Sequence, residues 1–306
     1  MLGIETIATY IPEIKESNYD LKEKFELDDD FIENKIGVKQ HAVKDEGFKS
    51  SDMCVKAFDN LNGTTNINLE EIECCIVVTQ NPDYNIPHTA AIVHGKLDLP
   101  SSCAAFDISL GCSGYVYGLS NIISFMKNNG MKKGLLFTSD QYSNIVDKND
   151  KNTTLLFGDA ATVTVISDDA TFVPINFSFG TNGKDYKELM CEETLQMNGR
   201  AVFSFTATTA PKHIKALLEK NNLTDENIQK YYLHQGSKYI VDTIRKRLKV
   251  DTEKVPFDMM EYGNTISSSI PIMLEKELKI SIKGNYVLSA FGVGLSWASA
   301  IIEKIK

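Results

Sequence analysis

Two stretches of this chain repeat each other at a separation of about half its length. Leu69-Glu70-Glu71-Ile72 and the apolar run to Thr79 resemble Thr224-Asp225-Glu226-Asn227-Ile228 and the run to His234. Lys133-Gly134-Leu135-Leu136-Phe137-Thr138-Ser139 likewise resembles Lys283-Gly284-Asn285-Tyr286-Val287-Leu288-Ser289. The offsets are 155 and 150 residues in a chain of 306. Repetition on that scale predicts two similar halves, residues 1–168 and 169–306, with the junction near Ser167-Asp168-Asp169. Each half alternates strand and amphipathic-helix patterns, which predicts an α/β fold with a mostly parallel sheet and helices on its faces. No low-complexity stretch or long flexible linker separates the halves, so they are expected to pack as one body.

Composition narrows the functional classes. A net charge of −9 argues against nucleic-acid binding. Met1-Leu2-Gly3-Ile4-Glu5 lacks the basic region and apolar core of a signal peptide, and no apolar run is long enough to span a bilayer. A cytoplasmic protein with no membrane partner is expected. Six cysteines with no metal-type spacing are not a disulfide framework. Cys74 and Cys75 fall in the strand Ile72 to Thr79, where neighbours point to opposite faces. They, Cys54, Cys103 and Cys191 are read as structural.

Cys112 is different. In Ala105-Phe106-Asp107-Ile108-Ser109-Leu110-Gly111-Cys112-Ser113-Gly114 an apolar strand turns into a helix on a thiol. Tyr115, Val116, Leu119, Ile122, Ile123 and Met126 recur at helical spacing, and Asn128-Asn129-Gly130 closes the helix. Unpaired backbone N–H groups and the dipole at a helix start favour thiolate, the form that attacks. Gly111 and Gly114 allow a tight turn and close approach of a substrate backbone. Most intracellular cysteines are small buried hydrophobes, so the setting carries the assignment.

The second half holds further polar residues at strand ends. His234 closes Tyr231-Tyr232-Leu233-His234, at the strand end where open α/β sheets bind ligands; a satisfied structural histidine is the alternative. Asn264 lies in Tyr262-Gly263-Asn264-Thr265-Ile266-Ser267, a loop leading into a helix, where a turn or cap asparagine is equally at home. Ala290-Phe291-Gly292-Val293-Gly294-Leu295-Ser296-Trp297 places a glycine loop between two strands. It lacks the third glycine of a dinucleotide fingerprint and is suited to aiming a backbone N–H at a developing oxyanion. On a helix, Lys238, Asp242, Arg245 and Lys249 share one face, with Lys246 and Arg247 beside it, while Ile240, Val241, Ile244 and Leu248 face inward. That basic face is a solvated surface or a docking site.

Taken in order, Cys112 at its strand-to-helix turn, Phe157-Gly158-Asp159-Ala160-Ala161, His234-Gln235, Gly263-Asn264-Thr265 and Ala290-Phe291-Gly292-Val293-Gly294 resemble β-ketoacyl-acyl carrier protein synthase III. The resemblance runs from Ile4 to the C-terminus. It implies the thiolase-like fold, two pseudo-symmetric β-α halves in five α-β-α-β-α layers, in a homodimer. It also implies acyl transfer to Cys112 from a thioester, then decarboxylative Claisen condensation with a malonyl-carrier thioester. His234 and Asn264 would stabilise the enolate, and the N–H groups of Cys112 and Val293 would form the oxyanion hole. The implied partners are acyl carrier protein and acyl and malonyl thioesters, with no metal or redox cofactor. The basic helix carrying Lys238, Arg245, Lys246, Arg247 and Lys249 would dock the acidic carrier.

Several positions depart from the family pattern. Phe31 stands where the family commonly stacks tryptophan on the coenzyme A adenine, and Lys35 and Lys151 stand for arginines. Lysine lacks the planar guanidinium that covers a base. Ile86 in Asn85-Ile86-Pro87-His88 replaces a phenylalanine that gates the primer from the partner subunit, and His234-Gln235-Gly236-Ser237 replaces His-Gln-Ala-Asn. The substrate-contacting set is therefore Phe31, Lys35, Ile86, Lys151 and Gly292. An alternative reading in the same fold is an acyltransferase without decarboxylation, against which Asn264 speaks; one from a different class is a catalytically silent partner subunit of a heteromeric synthase, against which intact Cys112, His234 and Asn264 speak.

Overall fold

The computed structural model describes all 306 residues. As far as Ser167 the chain supplies β1 (Gly3–Tyr10), a small hairpin of β2 (Lys15–Ser17) and β3 (Gln40–Ala42), then β4 (Cys74–Val78), β5 (Ala104–Ile108), β6 (Gly134–Asp140) and β7 (Ala160–Ser167). Its helices are α1 (Lys22–Phe25), α2 (Ser50–Asn62), α3 (Thr89–Lys96), α4 (Gly114–Asn129) and α5 (Lys151–Thr154). From Phe172 it supplies β8 (Phe172–Thr181), a hairpin of β9 (Leu189–Cys191) and β10 (Leu195–Met197), β11 (Ile228–Leu233), β12 (Gly284–Gly292) and β13 (Ser296–Lys304). The helices here are α6 (Gly199–Lys220), α7 (Lys238–Leu248) and α8 (Ser269–Leu278).

The main strands run in the order β11-β12-β13-β8-β1-β7-β6-β4-β5, with β8 and β1 pairing in register only at Ile4 and Phe172. On one side of that contact, β1, β7 and β6 are successively antiparallel and β6 runs parallel to β4. On the other, β8, β13 and β12 are successively antiparallel and β12 runs parallel to β11. The four strands nearest the contact match on the two sides, β5 alone having no counterpart, and short 3₁₀ turns at Leu69–Glu71 and Asp225–Asn227 precede β4 and β11. The sequence echo is this topological repeat. The sheets are mixed, however, not mostly parallel: the tight link from Gly292 to Ser296 returns the chain beside β12 as an antiparallel partner, since a parallel neighbour needs a long crossover.

Alternation along β4 assigns the layers. Cys74, Ile76 and Val78 face the central layer, where Val116, Leu119 and Ile122 of α4 pack with Ile270, Met273 and Leu274 of α8 between the two sheets. Cys75 and Val77 face the outer layer of α2 and α3. Ile214 and Leu217 of α6 and Val241 and Ile244 of α7 cover the far face of the second sheet. Helix α4 follows the periodicity of its apolar residues and stops at Gly130, left-handed at φ 69°. No helix is long and apolar enough to cross a membrane.

The central layer holds the sheets in register, so cavities there should be costly. Ile122, fully buried on α4, should on replacement by alanine lose about 3 kcal/mol of stability, read from the urea midpoint; a shift equivalent to less than about 1 kcal/mol would contradict its packing role.

Candidate active site

Both sheets point strand ends at one cavity of about 440 Å³ lined by Cys112, His234, Asn264 and Gly292. Cys112 lies between the end of β5 and the start of α4, and His234 directly follows β11. Asn264 reaches the site from the loop before α8, held by backbone pairing with the Phe157 segment: its N–H donates to Leu156 O at 2.8 Å and its carbonyl accepts Gly158 N–H at 3.0 Å.

The nucleophile of the first half sits against backbone of the second. A Cβ on Gly292 would lie 2.6 Å from Cys112 Sγ, so only glycine admits the sulfur. The backbone N–H groups of Val293 and of Cys112 itself lie near enough to the sulfur to pull its pKa down. The Val293 carbonyl accepts Ser296 Oγ–H at 2.8 Å, and Ser296 Oγ meets Ser113 Oγ at 2.7 Å, tying that turn to the helix start. Gly111 and Gly114, expected to admit substrate backbone, instead admit protein: Gln80 Oε1 and Val78 Cγ1 lie 2.4 Å from where their Cβ atoms would be.

Burial decides the protonation of the site. It pushes the Cys112 thiol up to about 12, outweighing the two N–H groups that favour thiolate, so the thiolate expected from the helix start is corrected to a protonated thiol in the free enzyme. Burial also takes His234 down to about 3, leaving a neutral imidazole. Nδ1 of that ring pairs with Ser269 Oγ at 2.8 Å, and its edge meets Phe291, with ring centroids 5.6 Å apart. Asn264 Oδ1 accepts Ile266 N–H at 3.0 Å, which turns the amide N–H₂ away from that contact. Only the tautomer in which Ser269 Oγ–H donates to Nδ1 leaves the ring proton on Nε2, and in that form an acceptor entering the cavity would meet the imidazole N–H and the Asn264 amide beside a buried thiol.

At the cavity mouth Phe31 lies between two ammonium groups, Lys151 at 4.8 Å and Lys35 at 5.8 Å from its ring centroid. Lys151 also donates to Phe25 O at 3.0 Å. The first turn of α7 adjoins this mouth through Tyr239 and Ile240. Lys238 is held there by Asn34 Oδ1 at 2.8 Å, and half-buried Arg245 faces Asp242 at 3.7 Å and Val250 O at 3.4 Å. Lys246, Arg247 and Lys249 are exposed, although Arg247 also donates to Ala207 O at 2.8 Å. Lys249 lies outside the helix and caps it in left-handed conformation, so the single basic face read from spacing becomes a cluster at the helix C-terminal end. Ile86 is 88% exposed and does not line the cavity of its own protomer.

Ser269 carries no motif of its own; its only trace in the sequence is the run Ser267-Ser268-Ser269 ahead of the apolar residues Ile270 to Leu274.

A helix-start cysteine on one half, facing a histidine and an asparagine on a topologically matching half, defines the condensing-enzyme class of the thiolase fold. The family description 3-oxoacyl-acyl-carrier-protein (ACP) synthase III matches residues 106–183, and its C-terminal counterpart matches 218–304. β-Ketoacyl-acyl-carrier-protein synthase III of Lactococcus lactis subsp. lactis is 33% identical over 98% of both chains. The enzyme of the same name from Caldanaerobacter subterraneus is 32% identical over 98% of this chain and 97% of its own. The crystal structure of β-ketoacyl-acyl-carrier-protein synthase III from Thermus thermophilus superposes with a TM-score of 0.91 at 30% identity, covering 99% of each chain. The chain belongs to the β-ketoacyl-acyl-carrier-protein synthase III family, a family of acyltransferases.

The thiol's protonation is directly measurable. Iodoacetamide should alkylate Cys112 slowly at neutral pH and about tenfold faster per pH unit above it, because only thiolate reacts. Peptide-level mass spectrometry separates Cys112 from exposed Cys191; a rate flat between about pH 6 and 9 would show a thiolate instead.

Proposed function

We propose that Cys112 takes an acyl group from a thioester and passes it to a malonyl-derived carbanion, giving a 3-oxoacyl thioester. In the first half-reaction Cys112 sulfur attacks the thioester carbon, the carbon–sulfur bond to the donor breaks, and the departing sulfur takes the Cys112 proton. No separate base is needed, which suits a protonated thiol beside a neutral His234. The N–H groups of Val293 and Cys112 bear the developing oxyanion, each such donor being worth about 3 kcal/mol. In the second half-reaction malonyl thioester loses carbon dioxide, and its enolate oxygen is held by His234 and Asn264. The enolate carbon attacks the Cys112 thioester, the carbon–sulfur bond breaks, and the sulfur regains a proton.

The observation that carries this reading is the neutral His234 and Asn264 pair, each pinned on its far side by Ser269 and by Ile266 N–H. Direct transfer to an alcohol or amine has no enolate for an amide to hold. Asn264→Ala should therefore cut malonyl decarboxylation by about a hundredfold while leaving Cys112 acylation nearly unchanged. Cys112→Ser should abolish loading, measured by intact mass after incubation with acyl thioesters. Equal loss in both half-reactions for Asn264→Ala would make that residue structural, and a wild type unable to decarboxylate any malonyl thioester would favour simple acyl transfer.

A homodimer belongs to the same reading. β5 has an unpaired outer edge and five half-buried residues, and an exposed edge of that kind invites pairing. Beside it Phe106 meets Phe125, and on the same helix Tyr117 meets Phe179, at centroid distances of 5.4 and 4.6 Å. Ile86 and Tyr84, both exposed, project from the loop before α3, where Ile86 would reach the partner's acyl site. Six unpaired cysteines accord with a reducing cytoplasm. The same reading divides the halves as 1–168 and 169–306, a boundary supported by the link between β7 and β8.

The donor handle follows from the mouth. Two hydrated ammonium groups around a phenylalanine attract phosphate but cover no adenine face. A carrier-bound primer should load faster than the same acyl group on coenzyme A, with a rate that falls as salt rises. Charge reversal belongs at exposed Lys246 and Lys249, since half-buried Arg245 already has internal partners. The double variant should slow carrier loading selectively; equal donor rates, or no salt effect, would remove the carrier preference.

A further inference from the structure

Asp140 lies beneath the reactive residues and joins the two halves. Its carboxyl is fully buried. One oxygen accepts Gln80 N–H at 2.9 Å and the other accepts the Ser267 hydroxyl. Each partner adjoins a different reactive loop. Gln80 presses its Oε1 against Gly111, next to Cys112, and the same oxygen accepts Tyr142 Oη–H at 3.3 Å. Ser267 follows Ile266, whose N–H fixes Asn264 Oδ1.

We propose that Asp140 is a positioning residue whose carboxylate couples the Cys112 loop to the Asn264 turn, and that Asn264 holds the enolate only while that coupling is intact. The inference rests on the decarboxylating reading above. A carboxylate suits the place because it only accepts, and donors from two loops meet its two oxygens, one on each. Once protonated, it must fit an O–H of its own among those donors, and one contact is lost.

Burial raises Asp140 to about 6 against the pull of these donors. The titratable groups in its field are Asp159, which raises it further, and Cys54, Cys112 and Tyr142. Asp140 is therefore ionised above about pH 6 and loses its charge as the pH falls through that value. His234, at about 3, and Cys112, at about 12, titrate well outside this window.

The test measures malonyl decarboxylation and Cys112 loading against pH for wild type, Asp140→Asn and Ser267→Ala. Wild-type decarboxylation should fall about tenfold per pH unit below the limb, with loading much less affected. Asp140→Asn should be slow and flat across the limb. Ser267→Ala removes a donor that holds the carboxyl's affinity for protons down, so its limb should move to higher pH; Asp159 does not contact Ser267 and would give no such shift. An Asp140→Asn enzyme with a wild-type profile, or a Ser267→Ala limb that stays in place, overturns the proposal. If Asp140→Asn fails to fold, Ser267→Ala decides alone. A wild type that decarboxylates no malonyl thioester defeats the enolate reading instead; carbon-13 NMR of carboxyl-labelled aspartate then reads the coupling. A resonance titrating near pH 6 and displaced by Ser267→Ala supports it, and no such resonance overturns it.

Discussion

The seat of Cys112 Sγ against the bare backbone of Gly292 is the contact on which the site depends. It brings a nucleophile from the first half under an N–H from the second, and it forms only if both sheets are held at a fixed spacing. That spacing is the work of α4 and α8, whose apolar faces fill the layer between the sheets. A single methyl group at position 292 would push against the sulfur and against the turn that supplies Val293 N–H. Packing in the central layer and chemistry at its edge are thus one constraint, seen at two distances from the cavity.

Burial sets the electrostatic character of the site, and it acts on both reactive ionisable groups in the same sense. A thiol driven up and an imidazole driven down end as neutral partners, where an exposed pair would share a proton as an ion pair. A neutral site attracts no counter-charge that would have to be displaced when an uncharged thioester enters. Its fixed dipoles meet charge only as charge develops on oxygen, which is when low-dielectric donors are worth most. The cost is a nucleophile with little thiolate at rest, and the two N–H groups on the sulfur recover part of it.

Much of this was legible in the residues. The repeat is visible because matching turns and strands reuse the same local pattern, and α4 because its apolar spacing and Gly130 are local signals. Cys112, His234 and Asn264 stand at strand ends and loops where side chains face a ligand. What sequence misjudged depends on distant partners. The helix start that favours thiolate is local, whereas the burial that overrides it comes from Gly292, Val293 and the surrounding apolar cluster. The mixed sheet turns on a link of three residues, Val293 to Leu295, between β12 and β13. Ser269 lies 35 residues from His234, and Ser267 lies 127 from Asp140, so nothing in either neighbourhood announces the contact.

The two ends of the cavity divide recognition from reaction. Its mouth is cationic and partly exposed, with Lys35 and Lys151 about Phe31 and the basic end of α7 farther out. Its interior, around Cys112, His234 and Asn264, presents neutral groups. Charge at the mouth acts over roughly the Debye length, about 8 Å at physiological salt, and so governs how often a phosphate-bearing donor arrives. In the proposed reaction it would have little leverage on a buried thioester whose oxygen is met by backbone N–H, imidazole and amide. Substitutions at the mouth are therefore free to change which donor is used while the interior keeps its reaction. That separation would let Phe31, Lys35 and Lys151 at the mouth differ from the tryptophan and arginines that the family resemblance implies while Cys112, His234 and Asn264 are kept.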